Sequence, residues 1–166
     1  MDAAIFKRCL SRSPVAQWAL GAGIAALLMP IASVAQTLRL IDGDMVKEVD
    51  VAQLRESSDS HFRLFDPYQG ESVSMQGMPF ADFLARHFGR VPDKLRFTAW
   101  DGYEVTLGGW DDPNWYLVTI ENGKPLSLRS RGPVRLVERE YGDRDVNSLR
   151  EFNDWIWMIR SIEARG

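Results

Sequence analysis

Aromatic rings, carboxylates and turn residues crowd into the stretch from Leu95 to Leu117, and its residue types suit the binding of a flat ligand. Trp100, Asp101 and Tyr103 fall within one short turn of chain. A carboxylate can accept paired hydrogen bonds from a guanidine-like ring edge while aromatic faces hold the ring flat. An acid between a tryptophan and a tyrosine therefore suits a pterin or purine base. Trp115 and Tyr116 follow Trp110 a few residues on and are added to the same site on chemistry alone, as is the distant Trp155. Asp101-Gly102 has a second reading, as the pair a type I′ hairpin turn demands, with Trp100 then filling the core. Arg131 and Arg135 also read two ways, as sheet-edge charges or as donors to a ligand's carbonyl and hydroxyl groups. Asp111-Asp112, beside Pro113-Asn114, reads as a solvated turn before it reads as an acid-base pair.

Signatures of catalysis are missing from the sequence. It has no nucleophile elbow, no glycine loop for phosphate and no paired histidines on a helix. His61 and His87 have no partner at metal-ligand spacing, and His87 reads as a hydrogen-bonded core histidine. Cys9 is the only cysteine and lies near the N-terminus. No catalytic or metal-ligating residue is assigned.

The elements that would position the aromatic cluster are mostly strands. Leu95, Phe97 and Ala99 alternate with Arg96, Thr98 and Trp100, and Tyr103 to Leu107 alternates again, which predicts a hairpin turning at Asp101-Gly102. Thr37 to Ile41 and Met45 to Val51 predict an opening hairpin, followed by a polar connection from Ala52 to Ser60. His61 to Phe65 and Ser72 to Gln76 are two further strands around the Pro67 to Gly70 turn. Phe80, Phe83, Leu84, His87 and Phe88 have helical spacing, with Pro79 before them and Gly89 after, so Pro79 to Phe88 is an amphipathic helix. Trp115 to Glu121 and Val134 to Glu138 read as strands, with Asn122-Gly123 as a turn and Gly132-Pro133 as a rigid bend. Ser148 to Glu151 fits a capping box, and Trp155 to Glu163 reads as the closing strand. Many short strands and one clear helix make an α+β domain dominated by its sheets.

Residues 1–35 have a different character. Lys7, Arg8 and Arg12 form a basic head, Val15 to Met29 an apolar run, and Ser33-Val34-Ala35 a small-x-small site, which together predict a secretory signal peptide cleaved after Ala35. The mature chain, residues 36–166, is then a single periplasmic domain without a thiol, and disulfides and thiolate metal ligands are excluded from it. Loss of Lys7, Arg8, Arg12 and Asp2 takes the net charge from −3 to −5, an unpromising balance for a nucleic-acid partner. With 45% hydrophobic and 26% charged residues, the composition suits an ordinary globular core.

The run Phe97-Thr98-Ala99-Trp100-Asp101-Gly102-Tyr103, then Leu117-Val118, Asn122 to Leu126 and Gly132 to Val137, resembles the molybdopterin-binding domain of the sulfite oxidase superfamily. The resemblance runs from Leu38 to Ile162 and is strongest between Phe97 and Val137. It implies a mixed, sheet-rich fold with a pterin pocket at Trp100, Asp101 and Tyr103 and at the Arg131-Gly132-Pro133 mouth. The chain departs from the family's enzymes in lacking the cysteine that binds molybdenum, and Lys7-Arg8 departs from the twin-arginine export signal. What the resemblance then implies is a small exported regulator. It would sense a reduced pterin and contact the extracytoplasmic domain of a membrane-bound enzyme that makes and degrades cyclic di-GMP, adjusting biofilm formation. An oxidoreductase holding molybdopterin by non-covalent contacts is the alternative.

Overall fold

The computed structural model describes residues 36–166, and the predicted signal peptide lies outside the described residues. Two five-stranded sheets share one hydrophobic cluster. In chain order the elements begin β1 (Thr37–Asp42), β2 (Met45–Asp50), α1 (Val51–Glu56), β3 (Ser60–Asp66), β4 (Glu71–Pro79) and α2 (Phe80–Phe88). They continue as β5 (Lys94–Ala99), β6 (Glu104–Gly108), β7 (Trp115–Glu121), β8 (Lys124–Pro125), β9 (Arg135–Glu138) and β10 (Ile159–Arg165). The sheet-rich α+β class expected from the sequence is what the chain adopts.

The first sheet runs β2-β1-β10-β5-β6. Leu38 and Leu40 on β1 point inward while Arg39 between them is exposed, so one face of the strand is core. On its other flank β1 pairs in parallel with the C-terminal β10, setting Leu40 opposite Ile162. In the second sheet the path is β3-β4-β7, with β8 and β9 both pairing β7. At Gly77 the β4–β7 pairing shifts register, and the backbones approach so closely that a Cβ there would overlap the Leu117 carbonyl oxygen. The amphipathic helix is α2. It buries Phe80, Phe83 and Leu84 and ends at Gly89, whose left-handed φ of 71° needs no Cβ.

Four local expectations change. The polar connection after β2 opens with α1, a helix too short to show a period. Asp50 caps it by accepting the Ala52 N–H at 2.7 Å, and Val51 and Leu54 bury beneath it. The β5–β6 turn has three residues instead of two. Ala99 N–H donates to the Tyr103 carbonyl at 2.9 Å, leaving Trp100, Asp101 and Gly102 as the loop, with Gly102 at φ 89°. Leu149–Phe152 does form a 3₁₀ turn, but the Ser148 side chain makes no capping bond to it. The Glu151 carboxylate instead accepts the Asp145 N–H at 2.9 Å. Finally, the closing strand begins only at Ile159. Residues 155–158 form a crossover tied to β9 by a single bridge between Leu136 and Ile156. His87 is half-buried against Phe83 and accepts from Lys47 Nζ at 3.2 Å, so it lies at the margin of the core.

Replacing Gly77 with alanine forces backbone apart at the centre of the second sheet. The G77A protein should lose about 1–3 kcal/mol of stability, read as a lower urea midpoint at unchanged slope.

Candidate ligand-binding site

The hairpin loop between β5 and β6 forms one wall of a cleft. Gly102 N–H donates to the Ala99 carbonyl at 3.2 Å and Tyr103 N–H to Asp101 Oδ1 at 3.0 Å, so the acid folds back to brace its own turn. Asp101 Oδ2 makes no hydrogen bond among the described residues. Trp100 and Tyr103 remain 45% and 48% exposed, and the reading in which Trp100 fills the core is overturned. The loop is short, and Ala99 at its start pairs with the buried Ile159 of β10.

Facing the loop is the crossover, with Trp155, Ile156 and Trp157, and between them lies a cavity of about 190 Å³. Tyr68, from the β3–β4 turn, closes one end. Its hydroxyl donates to the Phe152 carbonyl at 2.9 Å, and its ring meets Trp157 edge-on at 4.6 Å. Burial first, and then the nearby Asp154 carboxylate, push the Tyr68 phenol above its ordinary value, so it stays a neutral donor. Trp155 is only 3% exposed and makes a floor. Its indole N–H donates to Glu138 Oε2 at 3.3 Å, and its ring packs edge-on against Phe152 at 5.2 Å. Asn153 at the rim adds an amide.

The crossover reaches the loop through its backbone. Trp100 N–H donates to the Met158 carbonyl at 2.8 Å, and Met158 N–H to the Arg131 carbonyl at 2.9 Å. Met158 and Arg131 both sit at left-handed φ, 57° and 63°, which costs a residue with a Cβ about 1–2 kcal/mol. The two walls of the cleft are thereby fixed to one another.

Of the seven residues expected at a site, Asp101, Tyr103 and Trp155 line this cleft. Trp100 shares the loop but not the lining; the Arg160 guanidinium lies 5.9 Å from its ring centre. Trp115 and Tyr116 do not join them, since both pack into the core on β7 away from this cleft. Trp115 packs edge-on against Trp110 at 5.5 Å, and the Tyr116 hydroxyl accepts from Arg139 at 3.2 Å. Tyr68, Asn153 and Trp157 line the cleft without having been expected there. Proximity to Trp155 was the one signal for Asn153 and Trp157, and Tyr68 stands too far off in sequence to have given any.

Arg131 belongs to a separate charged cluster around Arg135. The Arg135 side chain is wholly buried, bonded through Nη2 to Asp66 Oδ2 at 2.9 Å and through Nη1 to Glu121. Arg131 reaches Glu121 at 3.2 Å, and the Gln69 amide bridges Asp66 at 2.7 Å and Glu121 at 3.2 Å. Two cations and two anions thus cancel, and neither arginine is a sheet-edge charge in water. Burial alone would raise the Asp66 pKa, but Arg135, the Gln69 amide and the Tyr68 N–H outweigh it and hold the carboxyl below its ordinary 3.8. Burial pushes Glu138 the other way, above its ordinary 4.5, although Arg144 and the Trp155 indole oppose the rise.

Among the described residues no three His, Cys, Asp or Glu side chains converge as metal ligands. No protein-family model and no curated protein matches the chain.

The signs of the two carboxyl shifts predict the acid behaviour. With the folded value depressed, Asp66 contributes fully above the ordinary carboxylate range, and the contribution is lost as pH falls through the folded value. Glu138, raised on folding, contributes below its ordinary value and loses that contribution as pH rises through the raised one. Asp66→Asn should cost about 3–5 kcal/mol at neutral pH by leaving Glu121 alone against two arginines, one of them wholly buried, and should make the remaining loss of stability below about pH 4 shallower. Denaturant midpoints across the acid range read both.

Proposed function

We propose that the protein is an exported pterin-binding regulator whose ligand sits in the cleft between the β5–β6 loop and the Trp155–Trp157 crossover. The observation that carries this reading is the position of Asp101, which lines an aromatic-lined cavity with Tyr103 and keeps one carboxylate oxygen without a hydrogen bond among the described residues. Each carboxylate oxygen has two lone pairs, so Asp101 can serve its own turn and still accept two N–H groups from a pterin's amino-pyrimidine edge. Asn153 offers an amide N–H to a ring carbonyl. Tyr103, Tyr68 and Trp157 supply apolar faces and edges, which favour a flat heterocycle over a flexible chain. The cavity of about 190 Å³ lies below the usual range for drug-sized ligands, about 300–1,000 Å³, and suits a bicyclic ring.

The sheet-rich α+β class agrees with the resemblance to the sulfite oxidase molybdopterin-binding domain at the level of class, and the finer family assignment is part of this proposal. So is the partner, the extracytoplasmic domain of a membrane-bound cyclic di-GMP enzyme. Trp100, exposed on the same loop as the ligand-facing Asp101 and Tyr103, is where occupancy of the cleft would alter the surface presented to that partner. A ligand that binds one loop arrangement better than another shifts the population between them by its difference in affinity.

Calorimetric titration of the purified exported protein with reduced pterins should give saturable heat. Asp101→Ala should weaken binding by about 1.5–3 kcal/mol, roughly tenfold or more, while the circular dichroism of the fold is kept. A flat titration with every reduced pterin would sink the proposal.

A further inference from the structure

The cleft does not end at Tyr103. On the far side of that ring a groove of about 340 Å³ continues along β6, and the two hollows share Tyr103 and Asn153. Its walls differ in kind. One is the half-buried pair Val105 and Leu107, packed against the core and able to take an aryl or alkyl linker. The other is the 3₁₀ turn Leu149–Phe152, carrying Arg150 and Glu151, with Asp154 just after it.

The charges on that turn are unequally occupied. Glu151 Oε2 accepts the Asp145 N–H at 2.9 Å, and Asp154 Oδ1 pairs with Arg144 at 3.0 Å. Arg144 also pairs with Glu138, so Asp154 shares its cation, while Glu151 braces the turn through a backbone N–H and keeps its charge. Arg150 is exposed and makes no ion pair among the described residues, and it is the sole basic residue lining either hollow. A bicyclic ring held in the smaller cavity would leave the adjoining groove open to a substituent.

We propose that the ligand is a pterin bearing an anionic tail, with its linker against Val105 and Leu107 and its terminal carboxylate or phosphate at the Arg150 guanidinium. The proposal rests on the pterin reading of the cleft and extends it to the ligand's substituent. A guanidinium presents paired donors to either anion, so carboxylate and phosphate are the shared chemistry and the experiment separates them.

The test compares reduced pterins that differ only in the substituent, titrated into the purified exported protein and its R150A variant. The probes are a bare pterin, one with a neutral polyhydroxy chain, one joined through p-aminobenzoyl to glutamate, and a hydroxymethylpterin phosphate. At least one anionic probe should bind about fivefold tighter than the bare ring, and the gain should fall as salt rises. R150A should abolish that gain and leave the bare ring's affinity unchanged. Whichever anionic probe shows the gain assigns the tail as carboxylate or phosphate. Equal affinity for bare and anionic probes, an equal gain from the neutral chain, or a gain that survives in R150A would overturn the tail subsite and leave the ring site standing. If no pterin binds at all, the ring site fails and the tail subsite fails with it.

Discussion

A guanidinium buried without solvent is tolerable only when its charge is cancelled, and the second sheet meets that demand at Arg135 by engaging both Nη groups, although Nε stays without a partner. The side chain has no exposed surface, yet Asp66 and Glu121 approach it from two different strands. Asp66 ends β3, Glu121 ends β7, and Arg135 begins β9, so one cation holds together three strand ends distant in the chain. Hydrophobic burial by itself is non-directional and would tolerate many registers here. A charge cluster with few workable geometries restricts them, since slipping any one of the three strands would leave an ion uncompensated.

The consequence reaches the cleft through the β3–β4 turn. Asp66 accepts the Tyr68 N–H at 2.9 Å, and its carbonyl accepts from Gln69 and Gly70, so the turn that presents Tyr68 is built on the same residue that neutralises Arg135. Tyr68 then holds the carbonyl of Phe152 and the edge of Trp157. A second set of ions, Glu138, Arg144 and Asp154, anchors the chain just before the crossover and receives the Trp155 indole. The aromatic walls are positioned by ions that do not touch the cavity. Such support lets a site keep its rings open to a ligand instead of collapsing them into the core.

That support also explains why the tryptophans part company. Trp110 and Trp115 join Phe80 and Phe97 in the core with edge-to-face packing at 5.1 to 5.5 Å, although the Trp110 indole N–H has no hydrogen-bond partner there. Trp100 and Trp157 lie at points where the backbone is committed elsewhere, to a three-residue loop in one case and to a crossover between sheets in the other. Large rings left partly in water by such commitments are the surface features most in need of a ligand or partner to cover them.

Much of the fold was legible in local signals. Period-two alternation marked β5 and β6, helical spacing with a proline before and a glycine after marked α2, and Asp101-Gly102 marked a hairpin, because each of these is dictated by residues within a few positions of one another. α1 was hidden by its length, and the start of β10 by an apolar alternation that continues through Trp155 to Met158 although the backbone there makes only an isolated bridge to β9 and otherwise bonds to Arg131 and Trp100. In the site, the sequence by itself determined that an acid and a tyrosine share a hairpin loop. It could not determine that Tyr68 and Trp157 stand opposite them, that Trp115 and Tyr116 turn away, or that Arg135 is an interior ion. Those outcomes depend on which strands pair and on which charges can be neutralised once water is excluded, and both are properties of contacts between segments far apart in the chain.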